Sequence, residues 1–167
     1  MSLLVRRINR AKWEQIVDTG IDKDGSADAI TNCLKTDHND LSVWHIESDT
    51  DLEKAILALI TGPSQTKLCT LHVVIIDESI VSTNGLSLVK TKGDTVVKDL
   101  VNTYKDLTNL TYEKLGIVKD LIVDSIKDER ATFYTKKKLQ EIIKKALNEG
   151  IVNKVDLNQD LILSEKL

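Results

Sequence analysis

Leu71-His72-Val73-Val74-Ile75-Ile76 is the stretch on which the fold turns. It is apolar on both faces and rich in β-branched residues, the composition of a strand covered by other elements on either side. The spacing predicts a strand over Lys67–Ile76 in the middle of a sheet. Just upstream, Thr50-Asp51-Leu52-Glu53 has the pattern of a capping box, in which Thr50 and Glu53 would satisfy each other's free backbone donors. It predicts a helix over Asp51–Thr61, with Leu52, Ala55, Ile56, Leu59 and Ile60 as its apolar stripe and Gly62-Pro63 as its stop.

Further out, Leu41–Glu47 reads as a strand and Ala27–Leu34 as a helix capped by Ser26 after the turn Asp22-Lys23-Asp24-Gly25. Ser2–Ile8 reads as a first strand and Ala11–Val17 as a short helix ending near Gly20. The fold class is therefore α/β, with mixed α+β as the alternative: strand, helix, strand, helix, strand around a sheet covered on both faces.

Asn84-Gly85 marks a turn before a short strand at Leu86–Lys90. After Gly93 the character changes. Asp94 can cap a helix through Val97, Leu100, Val101, Tyr104 and Leu107; Thr111 can cap one through Leu115, Val118, Leu121, Ile122 and Ile126; and Thr135 can cap Lys136–Asn148, which stops at Gly150. The tail Ile151–Ser164 has room for a short hairpin. The expected organisation is an α/β sheet domain over 1–93 and a helical region over 94–167, whose last helices and hairpin have the layout of a winged-helix module.

The 167 residues carry 41% hydrophobic and 29% charged side chains, enough apolar surface for one respectable core. Aromatic residues make up 4%, so that core must be aliphatic. A net charge of −3 gives no overall field toward nucleic acid or an anionic membrane. Two cysteines, Cys33 and Cys69, do not make a disulfide framework, and free thiols in a reducing cytosol are expected. No stretch approaches the ~20 apolar residues of a membrane span, and the start lacks the apolar core of a signal peptide, so the expected location is cytoplasmic.

Most chemical motifs fail on their geometry. Asp22-Lys23-Asp24-Gly25 does not fit a calcium loop, because Gly25 at loop position six would put Gly20 at position one. Cys33, His38, Cys69 and His72 contain zinc-ligand types, but along a strand Cys69 and His72 point to opposite faces, and Cys69 reads as a small core residue. Neither cysteine sits in the electropositive, partly exposed setting that a nucleophile needs. No metal or cofactor is expected. One constellation has catalytic potential: Asp77 and Glu78 at the end of the central strand, with His45 and Glu47 near the end of another, could exchange protons or bind a metal. Acids returning a strand to solvent are the plainer reading.

Two basic clusters remain. Arg6, Arg7, Arg10 and Lys12 lie near the start; of this segment Arg6, Arg7, Arg10 and Trp13 are the candidate interface, since Trp and Arg concentrate binding energy. Lys136, Lys137, Lys138, Lys144 and Lys145 lie on the last long helix and are candidate phosphate contacts, diluted by Glu141 and Glu149.

Ser2-Leu3-Leu4-Val5-Arg6-Arg7-Ile8-Asn9-Arg10-Ala11-Lys12-Trp13, Ala27-Asp28-Ala29-Ile30-Thr31 and Leu41-Ser42-Val43-Trp44 resemble the small middle subunits of bacterial three-component antiviral systems, the Lamassu type among them. The resemblance implies a non-enzymatic adaptor held between an SMC-like ATPase and an effector, often a nuclease, restrained until phage DNA is sensed. Contact with DNA would come through the complex. Such subunits have no active-site motif, so the resemblance assigns no functional residue. A small DNA-binding regulator or antitoxin-like protein, and a small enzyme built on Asp77, Glu78 or His45, are the alternatives.

Overall fold

The computed structural model describes residues 2–13 and 27–167. The expected turn at Asp22–Gly25 and the body of the expected helix Ala11–Val17 lie outside the described residues. Six strands form one sheet: β1 (Leu3–Ile8), β2 (Leu41–Ile46), β3 (Leu71–Asp77), β4 (Ser87–Lys90), β5 (Tyr104–Thr108) and β6 (Ala131–Tyr134), in the order β4-β5-β2-β1-β3-β6. Every ladder is antiparallel. β2 and β3 nevertheless run the same way, because β1 lies between them and opposes both, so the helix joining them crosses the sheet as in a split β-α-β unit.

The helices among the described residues are α1 (Ala27–Cys33), α2 (Asp49–Ile60), α3 (Glu78–Thr83), α4 (Tyr112–Lys127), α5 (Lys136–Asn148) and α6 (Gln159–Glu165). Side chains alternate across each strand, and the two faces feed two separate cores. Val5, Trp44, Ile46, Leu71 and Val73 pack with α2, α5 and α6. Leu4, Val43, Val74, Ile76 and Leu107 pack with α1, α3 and α4. The doubly apolar β3 is thus covered on both faces, as its composition predicts. No helix among the described residues is long and apolar enough to cross a membrane.

Three local expectations are corrected. The cap of α2 is Ser48, whose side chain accepts from Asp51 N, and not Thr50. Asp51 in turn accepts from Glu47 N at 3.2 Å and Ser48 Oγ at 2.8 Å, so the reciprocal box sits two residues earlier. The helix expected from Val97 to Leu107 is instead a short 3-10 turn, Lys98–Leu100, followed by β5. Its three-to-four-residue spacing is real, but Val97 and Leu100 are buried in one core and Leu107 in the other, while pairing with β2 and β4 occupies the backbone. The tail is not a hairpin: Asn158 caps α6, whose own Leu161 and Ile162 are buried in the core.

β6 corresponds to no expected element. Gly93 is buried between β4 and β5, which pair with each other, so one sheet continues across it.

Candidate functional site

The two ends of β1 present different chemistry. At its start, β2 places His45 and β5 places Lys105 on the face shared with Leu4, and Glu78, the first residue of α3, reaches over to both. His45 Nδ1 lies 2.7 Å from Glu78 Oε2, Lys105 Nζ lies 2.6 Å from Glu78 Oε1, and His45 Nε2 lies 3.3 Å from Glu47 Oε1. The His45 and Lys105 side chains are 16% and 18% exposed, so these contacts act in a medium less screening than water. Burial pushes the Glu78 carboxyl up, but hydrogen bonds from Lys105 and His45, and their charges, outweigh it and hold the group below the usual carboxylate range. A cavity of about 450 Å³ opens beside the cluster, lined by His45, Glu47, Lys90, Thr103 and Lys105 among others.

Of the four residues expected to converge here, His45, Glu47 and Glu78 do. Asp77 does not: its carboxylate caps α3, accepting from Ser79 N at 2.9 Å and Ser79 Oγ at 2.7 Å. These bonds hold it below the usual range. Sequence reading missed Lys105 because its segment was expected to be helical; read as a strand, it shares a face with Leu107.

At the other end of β1 the sheet opens. β1 pairs with β2 only as far as Val5↔Trp44. Beyond that point β1 stays with β3 to Ile8↔His72, and β2 stays with β5 to Leu41↔Leu107. A cleft of about 800 Å³ lies at the opening, with Arg6, Arg7, Asn9, Asn32, Ser42 and Trp44 among its walls. The Arg6 guanidinium bridges the parted strands, donating from Nη1 to Ser42 O at 2.6 Å and from Nη2 to Cys33 O at 2.7 Å. The expected basic cluster is therefore dispersed. Arg7 is exposed, Arg10 is half-buried on the 3-10 turn after β1, and Lys12 pairs with Asp28 at 3.1 Å. Trp13 is core: it is 0% exposed, and its Nε1 donates to Cys33 Sγ at 3.3 Å.

The lysines of α5 do not form a free basic stripe. All five are exposed, but Lys136 meets Glu165 at 2.9 Å, Lys145 meets Glu53 at 2.9 Å and Lys138 faces Glu141 at 3.9 Å. Cys33 is buried and Cys69 is exposed. The expectation that Cys69 is a core residue fails because β3 begins two residues later, at Leu71. Among the described residues, no group of three or more Asp, Glu, His or Cys side chains is placed to hold a metal ion.

The sheet has two edges, and β6 is the less guarded. Its Ala-Thr-Phe-Tyr contains neither the Lys nor the Pro that usually blunts an edge strand, whereas β4 ends in Lys90. Phe133 is 48% exposed and stacks on His72 with ring centroids 4.6 Å apart. Among the described residues, no strand pairs with the outer side of β6.

Comparison of the chain with protein-family models, with curated proteins and with solved structures returns no match.

Proposed function

We propose that the chain is a non-enzymatic accessory subunit that acts by joining protein partners in a hetero-complex. The observation that carries this reading is the outer edge of β6. It offers a row of backbone donors and acceptors beside a half-exposed phenylalanine, and lacks the residues that discourage pairing. An extended segment of a partner adds to such an edge by backbone hydrogen bonds, with alternate side chains giving specificity. The resemblance to Lamassu-type middle subunits points to an SMC-like ATPase and an effector nuclease as the partners, and to anti-phage defence inside a bacterial cell as the setting. DNA would be touched by the complex and not by α5, whose lysines are largely matched by carboxylates of the same chain.

The test is affinity purification of the tagged protein from its native host, with mass spectrometry and size-exclusion chromatography. A stoichiometric complex is expected, and Phe133→Lys, which adds a charge at the edge, is expected to weaken it. A lone monomer or homodimer overturns the proposal.

A further inference from the structure

We propose that the cleft between β1 and β2 is a binding site for a small phosphate-bearing molecule, held by Arg6 and Arg7.

The first ground is the opening itself. Adjacent strands of a sheet ordinarily pair along their whole shared length, because backbone donors and acceptors need partners. Here β1 and β2 stop pairing at Val5↔Trp44, although both continue as strands against their other neighbours. The sheet is therefore split between two central strands, and the Arg6 guanidinium, bonded to Ser42 O and Cys33 O, stands at the gap.

The second ground is charge. The chain has 26 acidic residues against 23 basic ones, yet among the described residues lining the cleft none is acidic and two are arginines. Arg6 has backbone carbonyls as its hydrogen-bond partners, and its Nε is buried with no partner. Among the described residues its electrostatic neighbours are the Cys33 thiol and the Tyr104 phenol, and none is a carboxylate. A guanidinium withdrawn from water without a counter-charge is costly, and an oxyanion delivered to it recovers part of that cost. Burial accordingly lowers the Arg6 guanidinium to about 10.

The third ground is size and lining. Arg6 and Arg7 leave β1 on opposite faces and both line the cleft, and a guanidinium fork matches the oxygens of a phosphate monoester, which carries roughly −1.5 to −2 charge, better than a single ammonium does. A cleft of about 800 Å³ is larger than a free phosphate requires and falls in the range that accepts a drug-sized molecule. The Asn9 and Asn32 carboxamides on the walls can donate to and accept from polar edges, and Trp44 offers an apolar surface. A nucleoside monophosphate has this combination of dianion, polar edges and flat apolar body.

The test is calorimetric titration of the full chain with adenosine 5′-monophosphate, inorganic phosphate and acetate at matched ionic strength. Binding of either phosphate-bearing probe, and no comparable binding of acetate, is the expected result. Arg7 is exposed, so Arg7→Gln is expected to melt with the wild type yet to bind the phosphate probe about tenfold or more weakly. Arg6→Lys, which keeps the charge but loses the fork, is expected to weaken binding as well. Absence of binding by both phosphate probes, equal binding of acetate, or unchanged affinity in Arg7→Gln overturns the proposal; the Arg7→Gln comparison stands even where Arg6→Lys fails to fold.

Discussion

Replacing Glu165 by Ala should destabilise the chain by about 3 kcal/mol, which tests how the C-terminal helix is anchored. The Glu165 side chain is 0% exposed and salt-bridged to Lys136 Nζ at 2.9 Å. It accepts from Leu68 N at 2.9 Å and from Gln140 Nε2 at 2.8 Å, so it ties α6 to α5 and to the segment before β3. Truncation leaves the buried Leu68 N–H without its acceptor, a cost of about 1–3 kcal/mol, and removes charge-assisted bonds of about 1.5–3 kcal/mol each. Lys136 is 49% exposed and regains water, which brings the total toward the lower part of that range. For a chain of this size the loss corresponds to a fall of about 6–12 °C in melting temperature, read by circular dichroism. A loss below about 0.5 kcal/mol, the scale of ordinary surface substitutions, would refute the anchoring of α6 through Glu165.

Ser48→Ala should cost about 1 kcal/mol while Thr50→Ala costs almost nothing, as urea denaturation of the two variants would show, because Ser48 and not Thr50 caps α2. Gly93→Ala should destabilise by about 1–3 kcal/mol, since an added Cβ would lie 2.9 Å from both Trp44 Cη2 and Tyr104 Cβ; a melting temperature equal to the wild type would contradict this packing. Glu78 and Glu165 both have carboxyls held below their ordinary values, for Glu165 against the opposing effect of burial through bonds from Leu68, Lys136 and Gln140. The unfolded state therefore binds protons first. Their stabilisation should be fully present above the ordinary glutamate value of about 4.3 and be lost as pH falls through the lower folded values. Urea midpoints measured from neutral pH downward, for wild type and Glu165→Gln, would show a smaller acid loss in the variant.

Much of this architecture is legible in local signals. β3 announces itself as a doubly covered strand, and Thr111 and Thr135 cap α4 and α5 at the positions their spacing predicts. Local periodicity fails where tertiary pairing decides. Tyr104–Thr108 has a helical recurrence of apolar residues, yet it fills the gap between β2 and β4; Ala131–Tyr134 is too short to declare itself without β3 beside it. The His45, Glu47 and Glu78 convergence is readable from strand ends, but Lys105 enters it only once β5 is recognised as a strand. The cleft at Arg6 has no sequence signature, because β1 and β2 each look like complete strands and only their register shows where pairing stops. Trp13 shows the converse: a residue type favoured at interfaces is drawn into the core of a chain with few aromatics.

Hydrogen–deuterium exchange of the purified hetero-complex against the isolated chain tests the central claim most directly. Added protection at Ala131–Tyr134 on complex formation is the predicted result. A stoichiometric complex in which exchange at these four residues is unchanged, with protection confined to other surfaces, would contradict β6 as the docking edge.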